Sequence, residues 1–318
     1  MCPRWYPSVR LLALVVAVLV PMSLLGGQTP PTTSWSPPRT PYGQPDIQGM
    51  WTNFDTTPFE APGTEDSKNL DALALWFPGI NTPSGRIEGP NPSPDFGGEV
   101  GAASSVRRRS MVVDPPDGRV PILPAAEAAR DYHLRHLTES WLHHTPWERC
   151  ITRGVPGVMF PTYNSGHLIL QTPGYVVIVS EMIHAARIIP LDGRPPLPSR
   201  IRQWEGDSRG HWEGDTLVVE VTNYNAKGTV GTNIASRRLR GIPQSEALRL
   251  VERFTPVDEN RINYEVTIED PNAFRRPWTV AMPLNRSPNY QMFEYACHEG
   301  NHGLPNTLSG GRAEERLP

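Results

Sequence analysis

Lysine is almost missing from this chain. Lys68 and Lys227 are the only two, and arginine supplies the rest of the positive charge. With a formal net charge of −3, the chain carries no electrostatic footprint for nucleic acid. Its one basic run, Arg107–Arg109, is short and reads as a solvated loop. Phosphate-cradling glycine loops and dinucleotide fingerprints are missing as well, which removes the usual grounds for a nucleotide enzyme. There is no His-Glu-x-x-His, and Ser208 lacks the strand, Gly-x-Ser-x-Gly and helix setting of a hydrolase nucleophile. No motif calls for a cofactor.

Cysteine is scarce too, with three in all. Cys2 lies ahead of an apolar run, Leu11–Val20, which follows Arg4 and Arg10 and leads into the small residues Gly26 and Gly27. That order predicts a secretory signal peptide over residues 1–27, since the run is too short for a comfortable membrane span. The mature chain then begins near Gln28. It is periplasmic or secreted and has no stable membrane span after cleavage. Two cysteines remain, Cys150 and Cys297, an even pair in an oxidising compartment, and a disulfide between them is predicted. The rival role for Cys297, a metal-ligating thiolate beside His298, is disfavoured by export.

Proline and glycine are plentiful. The 36 prolines and 27 glycines favour turns and extended segments over a helical bundle. Residues 28–45 form a proline-rich leader, expected to be extended and mobile. Asp46–Phe54 reads as a first strand, and residues 54–118 as long loops with a short helix near Asn69–Trp76. Pro124 at a first helical position opens a helix with Leu134, Leu137 and Trp141 as its buried stripe.

From residue 165 onward, short strands alternate with turn residues. Ile262, Tyr264, Val266 and Ile268 alternate with Asn263, Glu265, Thr267 and Glu269, which gives one buried and one wet face. The same alternation of Phe293, Tyr295 and Cys297 predicts a closing strand over residues 291–298. So many sequential strands must hide their edges, and barrel closure does so most completely. The expected fold is mainly β: an antiparallel up-and-down, lipocalin-like barrel. It would be a single domain over residues 46–318, with one helix and a loop excursion at 54–146.

The strings WERCITRGVPGVMFP, QTPGYVVIVSEMIHAARIIPLDGRP, IRQWEGDSRGHWEGDTLVVEVTN and EYACHEGN resemble a large group of uncharacterised secreted proteins of Gram-negative bacteria. The resemblance spans about Trp147 to Glu315. It implies a periplasmic or secreted protein and carries no activity with it.

Three clusters suggest chemistry. His298, Glu299 and Asn301 follow the expected closing strand on a glycine-flanked turn. An imidazole there can exchange a proton near neutral pH, Glu299 can orient it, and Asn301 can hold a substrate hydroxyl. Glu181, His184 and Arg187 interrupt an apolar run, and a bulge near Ile183 would bring the first two to one face. Arg209 and Trp212 offer a carboxylate fork and a stacking face. His133, His136, His143 and His144 invite a zinc reading, but three-residue spacing on a helix arises readily by chance, and no metal is expected.

The function expected is acid–base chemistry, of lyase, isomerase or hydrolase type, on a carbohydrate or oxygenated aromatic in a barrel cavity. His298, Glu299, His184 and Glu181 would be catalytic, and Arg187, Arg209, Trp212 and Asn301 would bind substrate. Non-catalytic binding of a small-molecule or glycan ligand is the alternative.

Overall fold

The computed structural model describes residues 35–53, 57–61, 108–161, 164–231 and 238–316. The expected signal peptide and the short helix near Asn69–Trp76 lie outside these residues. So does most of the loop excursion.

Ten strands follow one another: β1 (Gly49–Thr52), β2 (Val112–Asp114), β3 (Gly166–Thr172), β4 (Tyr175–Ser180), β5 (Ala185–Pro190), β6 (Asp207–Glu213), β7 (Thr216–Thr222), β8 (Arg249–Asp258), β9 (Arg261–Glu269) and β10 (Trp278–Arg286). They make an antiparallel, nearly closed barrel in the order β5-β4-β3-β1-β10-β9-β8-β7-β6, with β2 added to β10. Two meanders, β3–β5 and β6–β10, are joined by β1, which pairs β10 at Trp51–Arg286 and β3 along its whole length. Loop residues 54–118 were not expected to contain a strand. Three of them form β2 because β10 still has a free edge at Thr279 and Val280.

The period-two pattern works as it should. Along β9, Ile262, Tyr264, Val266 and Ile268 are all fully buried and their neighbours are not. The β8–β9 hairpin turns at Asp258–Asn260, and the β6–β7 hairpin at Glu213–Asp215. Inward positions are filled by side chains, among them Trp51, Leu217, Phe254, Tyr264 and Met282.

The seam between β5 and β6 carries no backbone ladder. Side chains close it instead: Arg187 Nε donates to Ser208 Oγ at 2.8 Å. Gly210 makes the approach possible, since a Cβ there would lie 2.8 Å from Ile189 Cγ2 and 2.7 Å from Leu191 Cδ2.

Helix α1 (Pro124–Arg135) starts at the proline, as predicted. It ends sooner than the Leu134–Leu137–Trp141 stripe implied. Trp141 opens a separate 3-10 turn and is 49% exposed. The closing strand over residues 291–298 does not form. Cys297 instead begins the short turn α2 (Cys297–Gly300), and a further helix, α3 (Gly303–Glu314), follows. Pro305 falls in the first turn of α3, where its missing N–H costs no helical bond. The proline-rich leader, expected to be mobile, is tied down where it is described. Thr40 N donates to Gln44 O, Asp46 N to Pro38 O, and Ile47 N to Gln171 Oε1. Among the described residues no helix is long and apolar enough to cross a membrane.

Candidate functional site

Cys150 and Cys297 form the predicted disulfide, with Cα atoms 5.6 Å apart. It pins the α2 turn to the loop after α1. Asn301 completes the clamp: its Nδ2 donates to Glu148 O at 2.9 Å and to Cys150 Sγ at 3.3 Å. His298 and Glu299 lie on the outer side of this turn, both exposed, and no side-chain partner of either appears among the described residues.

Glu181 and His184 part company. The chain between β4 and β5 passes through two left-handed residues, Ile183 at φ 59° and His184 at φ 45°. Such residues cost about 1–3 kcal/mol each. The turn sends Glu181 inward and His184 outward. The buried Glu181 carboxylate accepts from Asn164 Nδ2 at 2.9 Å, from the Tyr290 hydroxyl and from Phe293 N at 3.4 Å. It therefore holds the 290–293 segment on the barrel end. His184 is left on the surface, 3.4 Å from the exposed Glu294.

Arg187 points into the barrel and is committed there. Its two terminal nitrogens close on Glu252, Nη1 to Oε1 at 3.0 Å, while Tyr264 Oη donates to the same Oε1 at 2.9 Å. Burial opposes the Arg187 charge, but the attraction of Glu252 outweighs it and raises the pKa above its ordinary value. Burial pushes the Tyr224 and Tyr264 hydroxyls well up, so both stay protonated.

Arg209 is likewise occupied, by Asp207 at 2.7 Å and the carbonyls of Pro195 and Ser208. It borders a shallow groove of about 340 Å³ with Arg194 and Glu220. Trp212 packs against the core, with its Nε1 sealed from solvent and without a partner.

The larger hollow lies outside the barrel. A cleft of about 540 Å³ opens between α1, the 141–149 segment and residues 226–229 and 240–243. Part of its lining comes from a capping box, Thr145-Pro146-Trp147-Glu148. Thr145 N and Oγ1 donate to Glu148 Oε2 at 2.8 and 2.9 Å, and Glu148 N reaches back to Thr145 Oγ1 at 3.4 Å. The second carboxylate oxygen of Glu148 takes Arg240 Nη2 at 2.5 Å.

Four cations line the cleft, Arg130, Arg149, Lys227 and Arg240, against the single carboxylate of Glu148. Arg130 is engaged by Asp131 and the carbonyl of Arg238. Arg149 has no carboxylate partner among the described residues. Its guanidinium lies 4.5 Å from the Trp141 ring centroid, and burial lowers its pKa. Two polar atoms in the wall, Thr229 Oγ1 and Arg240 Nε, are buried with no hydrogen-bond partner among the described residues. Behind them Gln244 Nε2 is in the same state.

His133 and His143 meet in this cleft, Nδ1 to Nδ1 at 3.0 Å. Burial, then the neighbouring His143 and His136, lower the His133 pKa. A neutral His133 fits the contact, in which one ring donates an N–H and the other ring accepts. His136 and His144 do not converge with them on an ion. A ring nitrogen of each faces a carbonyl, Tyr132 O at 2.6 Å and Leu137 O at 2.9 Å. Among the described residues no group of three or more His, Cys, Asp or Glu side chains is placed to hold a metal.

Comparison with known proteins adds no name to this geometry. The chain matches no family model, no curated protein and no solved structure.

The sequence clusters therefore scatter. Asn301, through Glu148, touches the cleft wall, Arg187 is internal, and His298 and Glu299 face solvent. Sequence reasoning treated the 133–144 histidines only as zinc candidates. The better signal was the Thr-x-x-Glu box next to histidine, tryptophan and arginine in one short stretch.

Proposed function

We propose that the protein takes a carbohydrate or an oxygenated aromatic into the cleft beside α1 and does acid–base chemistry on it, with His133 as proton acceptor. The observation that carries this reading is the His133–His143 contact within a cleft of ligand size. An imidazole kept neutral by burial can accept a proton at neutral pH, and its partner can share the charge that results. Trp141 and Trp204 on the rim supply stacking faces for a ring. Pockets of about 300–1,000 Å³ suit a small molecule. The disulfide supports an exported protein, as does the resemblance of the C-terminal strings to secreted proteins.

The test is incubation of the exported protein with a panel of glycans and aryl ethers, with products read by mass spectrometry. His133→Gln should abolish turnover, while His298→Ala should leave it intact. Turnover that survives His133→Gln would remove the acid–base reading. The second reading, binding without catalysis, rests on the cation excess of the lining. Ligand retention without product in the same panel would favour it.

A further inference from the structure

In the cleft, positive charge gathers without balance. On the barrel surface arginines come with carboxylates: Arg194 with Asp192, Arg209 with Asp207, Arg249 with Glu220, Arg253 with Glu213. The groove lined by Arg194 and Arg209 is therefore neutralised from within. In the cleft, Glu148 is consumed by Thr145 and Arg240, and Arg149 and Lys227 are left over. Lys227 is one of only two lysines in a chain of formal net charge −3. Such an excess repels a divalent cation and draws an anion, more strongly inside a concave low-dielectric wall than on open surface.

We propose that the cleft selects a carboxylated ring, an acidic sugar or an aromatic acid, whose carboxylate docks on Arg149 and Lys227. This rests on the cleft being the ligand site, and it names the class of ligand. Three features point to a carboxylate on a ring. Arg149 presents a planar fork that pairs two oxygens at once. The fork already lies over the Trp141 ring, 4.5 Å from its centroid, so the guanidinium is positioned before the ligand arrives and less freedom is lost on binding. The wall behind is rich in donors and poor in acceptors. Arg240 Nε and Thr229 Oγ1 lack partners, and an acceptor that entered as the wall adjusted would supply one. A neutral ring would meet the stacking faces and leave the charge uncompensated.

The experiment uses the full mature chain and two matched pairs of probes: galacturonate with galactose, and 4-hydroxybenzoate with 4-hydroxybenzyl alcohol. Binding is read by tryptophan fluorescence, with Trp141 and Trp204 at the rim, and by calorimetry. The acid of at least one pair should bind about tenfold tighter than its neutral twin, an effect of the size one charge-assisted contact gives. Added salt should narrow the gap. Arg149→Met should erase the preference, and Arg149→Lys should restore part of it. Because Arg149 also packs on Trp141, Lys227→Met provides a second variant at an exposed site and should weaken the acid alone. Equal binding of acid and neutral twin overturns the anion selection and leaves the cleft as a ligand site. No binding of any of the four probes overturns both.

Discussion

Arg187 on β5 closes both terminal guanidinium nitrogens on the carboxylate of Glu252 on β8, inside a barrel whose β5 and β6 edges share no ladder. Charges inside a fold are expensive to strand. Removing one partner leaves the other uncompensated, at a cost of about 3–5 kcal/mol. Glu252→Ala should therefore lower the urea midpoint sharply, and it also deprives Tyr264 Oη of its acceptor. Replacing the pair together, Arg187→Met with Glu252→Leu, should lose less than Glu252→Ala alone. If the double variant is the less stable of the two, the pair contributes more than its own desolvation and the seam depends on it.

His167 is sealed in the barrel wall, its Nδ1 3.0 Å from Ser180 Oγ and its Nε2 without a partner. Burial, then the nearby Arg153 charge, pushes its pKa down to about 3. Between that value and the unfolded value of about 6.5, the unfolded chain binds a proton that the folded chain refuses. Stability contributed by neutral His167 is complete above the unfolded value. It is lost as pH falls through this window, by at most about 1.4 kcal/mol per pH unit. Urea midpoints measured across the window should show this acid slope in the native chain and a shallower one in His167→Gln. Identical slopes would mean that His167 protonates without opposing folding.

The disulfide spans 147 residues, a long loop whose closure is worth roughly 5 kcal/mol on chain-entropy grounds. Dithiothreitol should lower the melting temperature of the native protein. It should have no effect on the double variant Cys150→Ser, Cys297→Ser, which should already melt at the lower temperature. A reductant-insensitive native chain would show that the bond is absent from the protein in solution.

His298 and Glu181 should respond oppositely to alanine. His298 is exposed and without a side-chain partner among the described residues, so His298→Ala should stay within about 0.5 kcal/mol of native. Glu181→Ala strips the acceptor from Asn164, Tyr290 and Phe293 N at once. The three bonds are part-buried, and each one lost should cost about 0.5–1.5 kcal/mol. Thermal melts of the two variants check this directly, and similar losses would show that His298 carries structure not visible in its contacts.

The legible part of the fold was the part written in local pattern. Alternation located β3 to β10, turn residues marked the β6–β7 and β8–β9 hairpins, and Pro124 marked the start of α1. Counting cysteines, with Cys2 set aside in the expected signal peptide, paired Cys150 with Cys297. Alternation failed at residues 291–298, where Phe293 is 67% exposed. Among the described residues that segment pairs with no strand, and it is held by Glu181. The cleft was not legible because its wall gathers α1, residues 141–149, 226–229 and 240–243, which no window of sequence sees together.

By itself, the sequence determined which residues extend, where the chain turns and which cysteines meet, because each of these depends on near neighbours or on composition. Which face of a strand looks inward depends on partners far along the chain. In Ala185–Pro190 local hydropathy would bury Ile188 and expose Arg187. The fold does the reverse, leaving Ile188 62% exposed and Arg187 8% exposed. Register with β4 pairs Ile178 with Arg187, and Glu252 and Ser208 are waiting inside to satisfy the guanidinium. Only the closed sheet, by bringing a carboxylate from β8 against an arginine from β5, made the charged choice the stable one.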